Sequence, residues 1–168
     1  MYWADKLADE VIRRKPDKEV YVCAAGISPS GSVHIGNFRD IATSYFVYRA
    51  LIRKGKKAKM LFSWDEYDRL RKVPKNVSDY LGNNSFEQYI GCPYSDIPDP
   101  FGKDESYAAH FEKEFMESLK KFGIEMEYRY QAKECRSGRY AEYVVFALKN
   151  RGKIYDILDR HRTQEGSE

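Results

Sequence analysis

Trp3, Leu7, Val11 and Ile12 return at helical spacing, and Pro16 follows the basic pair Arg13 and Arg14. That pattern predicts a helix over 2–14 with a defined stop. The run "EVYVCAA" (19–25) is apolar enough for a buried strand. After a loop of small residues, Ile35, Phe38, Ile41, Tyr45, Tyr48 and Leu51 or Ile52 keep a helical stripe as far as Gly55, a natural C-terminal cap. "AKMLFSW" (58–64) reads as a second apolar strand. Strand, helix, strand is the crossover unit of a parallel sheet, so the expected fold class is α/β.

Residues 71–105 break the pattern with four prolines and three glycines, which predicts a long, largely irregular insertion. Order returns with a helix over about 105–122, where Ala108, Phe111, Phe115, Leu119 and Phe122 share a face and Gly123 ends it. "IEMEYRY" (124–130) alternates as a half-buried strand does. Ser137 is the expected N-cap of a helix carrying Tyr140, Val144 and Leu148 on one face, and Gly152 separates it from the shorter "KIYDILDRH". The tail "RTQEGSE" reads as frayed. The expected organisation is one domain, with a core of about 1–70 and 124–168 and an insertion of about 71–123.

Composition narrows the picture. A chain of 168 residues can bury one good core, and fourteen Tyr with nine Phe are too many for a disordered chain. Basic residues number 29 against 26 acidic ones, a balance that permits an RNA partner without demanding one. No 18-residue apolar run exists, and "MYWADKLADE" lacks the layout of a signal peptide, so a cytoplasmic location without a membrane is expected. Cys23, Cys92 and Cys135 are odd in number and widely spaced. They are expected as reduced thiols, with neither a disulfide framework nor a zinc ribbon.

The chemistry gathers in "CAAGISPSGSVHIGNFRDI" (23–41). Gly26 has no Cβ to block a molecule approaching the strand end. Pro29 keeps Ser28 extended, Gly31 permits a tight turn, and the helix is expected to begin near Val33 or His34. Its free N–H groups and positive dipole end would then accept an anion. His34 and Asn37 lie on one side of that helix and can both donate to one phosphate chain. A plainer alternative makes His34 a helix cap and Asn37 a solvated polar residue. The Gly-Ser-Pro loop after a buried strand favours the phosphate site.

"GISPSGSVHIGN" resembles the HIGH signature of class I aminoacyl-tRNA synthetases, in the HIGN form of class I lysyl-tRNA synthetases. "FSWDEYDRLRKVP" (62–74), "YIGCPYSDIPDPFG", "SYAAHF" and "IYDIL…RTQE" follow in family order. The resemblance implies a Rossmann-like, HUP-type parallel sheet with a connective insertion, the N-terminal half of a class I aminoacyl-tRNA synthetase catalytic domain. It implies an enzyme that joins lysine to ATP, used with Mg2+, as lysyl-adenylate and passes lysine to tRNA(Lys), acting as a monomer. His34 and Asn37 would contact ATP phosphates as the catalytic pair, with Gly26, Ser28, Pro29, Gly31 and Gly36 completing the ATP site. Gly26 and Ser28 would also lie against lysine. The lysine carboxylate attacks the α-phosphate itself, so the protein's work is positioning and charge stabilisation.

Asp65, Glu66 and Asp68 follow the second strand, where open α/β sheets place ligand-binding residues. A lysine substrate carries two ammonium groups that need anionic partners once desolvated. Asp65 and Asp68 are the candidates, with Tyr67 as a packing or hydroxyl contact. The alternative pairs these acids with Arg69, Arg71 or Lys72 on the surface.

Two clusters are weaker. Arg49, Arg53, Lys54, Lys56, Lys57 and Lys59 gather at the end of the long helix and read as a solvated face rather than a tRNA contact. Asp99, Asp104 and His110 could hold a metal in principle. The resemblance places Cys and His of some family members where Lys103 and Asp104 stand here, and an ammonium is no ligand, so no structural zinc or other metal site is expected. The KMSKS-type loop and the anticodon-binding region of the family have no counterpart in these residues, so the chain alone is expected to activate lysine slowly or not at all. Two other readings remain: a small nucleotidyltransferase with an HxGH-like loop, and a non-catalytic stand-alone paralogue binding nucleotide, lysine or RNA.

Overall fold

The computed structural model describes residues 2–82 and 86–162; the segment 83–85 and most of the "RTQEGSE" tail lie outside it. Among the described residues no helix is long and apolar enough to cross a membrane. The chain divides into two compact units, 1–132 and 133–168.

In the first unit, α1 (Trp3–Arg14) precedes β1 (Tyr21–Ile27), α2 (Ile35–Arg53) and β2 (Ala58–Trp64). β3 (Glu127–Tyr130) completes a sheet in the order β1-β2-β3. Both pairings are parallel, with Tyr21 opposite Ala58, Ile27 opposite Trp64, and Trp64 opposite Tyr130. The expected α/β crossover is therefore present. Two boundaries differ from expectation. β1 continues through Gly26 to Ile27, so Gly26 lies inside the strand. β3 starts only at Glu127; Gly123 turns the chain with φ 66°, and Ile124 buries itself before the pairing begins.

α2 and α4 (Tyr107–Lys121) bury Ile41, Phe115 and Leu119 against Met60, Phe62 and Trp64 of β2. Phe62 and Trp64 meet edge-to-face at 4.7 Å between ring centres, a preferred aromatic geometry. Phe122, expected on the same helical face, lies 66% exposed at the C-cap of α4, with its ring 5.1 Å from that of Phe38. On the other side of α2, Ala4 and Ala8 of α1 pack against Ala50 and Leu51. Small side chains at that contact let the two helices approach closely.

The segment expected to be largely irregular is organised. It forms α3 (Lys75–Leu81) and two 3-10 turns, Glu87–Tyr89 and Tyr94–Asp96. Leu70, Val77, Phe86, Tyr94 and Ile97 close on Tyr107, Ala108 and Phe111 of α4 as a core of their own. Its turns are too short to show a period, and aromatic packing supplies the order that periodicity could not reveal.

In the second unit, α6 (Ala141–Lys149) and α7 (Arg151–Arg160) follow α5 (Gln131–Arg136), which begins in the first unit. Ser137 is no N-cap: its hydroxyl donates to the Glu134 carbonyl at the end of α5. The break falls at Asn150, and Gly152 lies inside α7. Val144 and Leu148, expected on one helical face, are exposed, as are Tyr143 and Phe146.

A Cβ at Gly26 would stand 2.8 Å from the Ser63 carbonyl oxygen on the paired strand. Gly26→Ala should therefore lower stability by about 1–3 kcal/mol, the usual cost of overpacking. Urea unfolding followed by circular dichroism measures it. A loss below about 0.5 kcal/mol would contradict the tight β1–β2 contact.

Candidate functional site

Parallel pairing brings the C-terminal ends of β1 and β2 side by side, and the Asp65 N–H donates to the Ile27 carbonyl at 3.0 Å just beyond them. Two loops therefore leave from one edge, where open α/β sheets bind ligands.

The first loop is held by its own residues and by α4. Pro29 is fully buried, the Ser30 N–H donates to the Ser28 carbonyl at 2.8 Å, and the Tyr107 hydroxyl donates to the Ser30 carbonyl at 2.9 Å. Burial, with Tyr94 nearby, pushes the Tyr107 phenol far up, so it stays a donor. The second loop answers with Asp68, whose carboxylate accepts from the Ser28 hydroxyl at 2.7 Å. Around this pair opens a cavity of about 310 Å³ lined also by Ser30, Arg69, Arg71, Lys72 and Tyr94. Among the described residues those three cations form no ion pair with Asp65 or Asp68, so the surface-pairing alternative is not what the structure shows.

The other expected lysine contacts are placed differently. Asp65 lies half-buried beyond the lining of this cavity, with Ser63 donating to it at 3.5 Å. Burial first, and the Asp68 charge second, raise its pKa against the Ser63 hydrogen bond. Tyr67 is exposed and Gly26 is enclosed by Ser63. Of the five residues, the structure brings Ser28 and Asp68 together at one cavity.

His34 caps α2: its Nδ1 accepts from the Gly36 N–H at 3.1 Å. This cap assigns the proton of the neutral ring to Nε2, which is left as a donor. A Cβ at Gly36 would stand 2.8 Å from His34 Cε1 and 2.9 Å from Nδ1, so the glycine is what lets the ring fold back on its own helix. Gly31 lies in a bend of the loop. Its φ is not left-handed, and a Cβ there would touch the Pro74 ring at 3.4 Å. The Asn37 N–H bonds to the His34 carbonyl at 3.0 Å. His34 also lines, with Val33, Phe38, Glu114 and Phe115, a second cavity of about 150 Å³.

Sequence reasoning gave Glu66 no role. It is buried, and its carboxylate accepts from the Gln131 N–H at 3.0 Å and the Ala132 N–H at 2.8 Å. It thereby ties the end of β2 to the residues after β3. Its place between the half-buried Asp65 and the exposed Asp68 hid that inward direction.

The weaker clusters resolve by pairing. Arg53 meets Asp5 at 2.7 Å, Lys54 meets Asp9 at 2.7 Å, Lys59 meets Glu127 at 2.9 Å, and Arg49 donates to the Tyr45 hydroxyl. Ligand atoms of Asp99, Asp104 and His110 do lie within 4.8 Å of one another. Asp99, however, already accepts from the N–H groups of Phe101, Lys103 and Asp104 at 2.7–3.0 Å. Burial works against its charge, but these donors and His110 outweigh it and lower the pKa. Asp104 is held by Lys113 at 2.9 Å. Carboxylates already engaged, with one imidazole and no thiolate, do not fit structural zinc. Elemental analysis of protein purified without chelator should find well under one zinc per chain, and one tightly held zinc would contradict this account.

The family described as tRNA synthetases class I (K) matches residues 1–168. The lysine–tRNA ligase of Pyrococcus horikoshii is 44% identical over 162 residues, covering 96% of this chain and 30% of the relative. That of Treponema pallidum is 43% identical over 165 residues, covering 98% and 31%. That of Streptomyces coelicolor is 39% identical, covering 97% and 29%. The chain thus spans about a third of the length of these relatives. With its parallel sheet, its HIGN-capped helix and a match along its whole length, the chain belongs to the class I (K) tRNA synthetases.

Proposed function

We propose that this chain supplies the HIGH-motif half of an ATP and lysine site, used to activate lysine and to ligate it to tRNA(Lys). The reading takes a cytoplasmic, monomeric protein as its setting. The observation that carries it is that two loops leaving the same edge of the sheet carry the capped His34 and the Ser28–Asp68 pair.

Each residue's part follows from its geometry. His34 Nε2–H offers a donor to phosphate oxygens at the start of α2, where the helix dipole adds positive potential, and Asn37 lies three residues further along the same helix. Buried Pro29 and the Tyr107–Ser30 hydrogen bond fix the loop against α4. Asp68 is poised for an ammonium, oriented by Ser28, with Asp65 adding negative potential from behind. ATP enters as a substrate with Mg2+, which would neutralise part of the phosphate charge. The lysine carboxylate oxygen bonds to the α-phosphorus as the bond to the pyrophosphate oxygen breaks, and pyrophosphate leaves with the electron pair. No protein base is required, so fixed donors carry the stabilisation.

Binding should separate these roles. His34→Ala should weaken ATP by about tenfold, the scale of one lost charge-assisted hydrogen bond. Gly36→Ala should do the same by pushing the imidazole out of its cap. Asp68→Asn should weaken lysine by about 10–100-fold and leave ATP nearly unchanged. Calorimetric titration of ATP and lysine against each variant measures all three. Unchanged ATP affinity in His34→Ala, or a loss of ATP rather than lysine in Asp68→Asn, would overturn the assignments.

A further inference from the structure

Away from the Ser28–Asp68 cavity, α4 carries a second carboxyl that the account so far leaves unused. Glu112 is 6% exposed, and its Oε1 is enclosed with no hydrogen-bond partner. A buried, unpaired carboxyl oxygen is costly. It stands in the wall of a cavity of about 550 Å³. Met116 and Tyr130 give that cavity an apolar and aromatic side, and Asp104 and Glu105 add negative charge.

We propose that this cavity binds a primary alkylammonium group, with the ammonium on the Glu112 carboxylate and the alkyl chain along Met116 and Tyr130. The missing partner at Oε1 is then a donor brought by the ligand. A methylene chain fits the thioether and the aromatic face, and the ring attracts a cation. A compact divalent ion fits less well, because among the described residues Glu112 belongs to no group of three ligand atoms close enough to chelate one.

The charges facing Glu112 set the sign of the pH effect. Glu105 and Asp104 come from the segment before α4, Lys103 from the same segment, and Lys113 from α4 itself. Glu66 acts from the loop after β2, and Tyr130 from the end of β3. Lys113 is held by Asp104 at 2.9 Å, which leaves Lys103 as the opposing cation on the wall. Burial, then Glu66 and Glu105, push the Glu112 pKa up to about 7. The protonated form prevails below that value and the carboxylate above it. An ammonium competes with this proton, so binding strengthens as pH rises. Between pH 8 and pH 6 the ionised fraction falls about tenfold, and affinity should fall with it, since an alkylammonium keeps its charge throughout.

The test is a titration of the 168-residue chain, labelled at its methionine methyl groups, with 1,4-diaminobutane and with uncharged 1,4-butanediol. The four methionines allow Met116 to be followed alone. Expected is a saturable Met116 shift with the diamine at pH 8, about tenfold weaker binding at pH 6, and no saturable shift with the diol. Glu112→Gln should weaken diamine binding at least tenfold and abolish the pH effect. A silent Met116, equal binding of the diol, or a folded Glu112→Gln chain that binds as wild type would overturn the proposal. A pH effect that persists in Glu112→Gln would place its source elsewhere and overturn the proposal too. Should the variant fail to fold, the diol and pH comparisons on the wild-type chain decide.

Discussion

Everything at this site depends on the parallel register of β1 on β2. Pairing Gly26 with Ser63 and Ile27 with Trp64 brings two loops out of the sheet at the same level, and the Asp65–Ile27 hydrogen bond carries the pairing one residue beyond the strands. Shifted by one residue, every side chain on β2 would change face. Phe62 and Trp64 would leave the core, and Asp68 would no longer meet Ser28. Gly26 guards this register sterically, because the space beside it is taken by the Ser63 carbonyl.

Around that register the structure uses small hydrogen-bonded devices, each holding one loop. His34 closes on Gly36, Tyr107 on Ser30, Ser28 on Asp68, and Glu66 on the first N–H groups of α5. Three of the four use residues outside the strand–loop–helix unit of β1 and α2. Tyr107 lies on α4 and belongs to the core of the 71–123 segment, so the packing of that segment governs where Ser30 sits. The loop that leads into the His34 cap is thus coupled to an aromatic core made of Phe86, Tyr94, Tyr107 and Phe111.

Long periodic elements were legible in the sequence, and so was the position of the loop between β1 and α2. The stripe from Ile35 to Leu51 and the run "AKMLFSW" appear as α2 and β2. What could not be read was anything set by contact between distant residues. The reason for Gly26 lies in Ser63 and that for Gly36 in the His34 ring; both are glycines, and sequence alone offers one generic explanation for each. The core of the insertion was hidden because its turns are shorter than any period. Val144 and Leu148 kept a helical spacing that predicts burial, yet they are exposed in the structure, since periodicity reports an apolar face and not what covers it.

The central claim is that the loop from Gly26 to Asn37 and the Asp68 side chain form one ligand-binding edge. Backbone amide shifts measured while a non-hydrolysable lysyl-adenylate analogue is titrated into the labelled chain test it most directly. The account predicts saturable shifts confined to residues 26–37 and 65–72, with the His34 and Gly36 amides among those that move furthest. Shifts that saturate elsewhere while residues 26–37 stay unperturbed at millimolar ligand would contradict it.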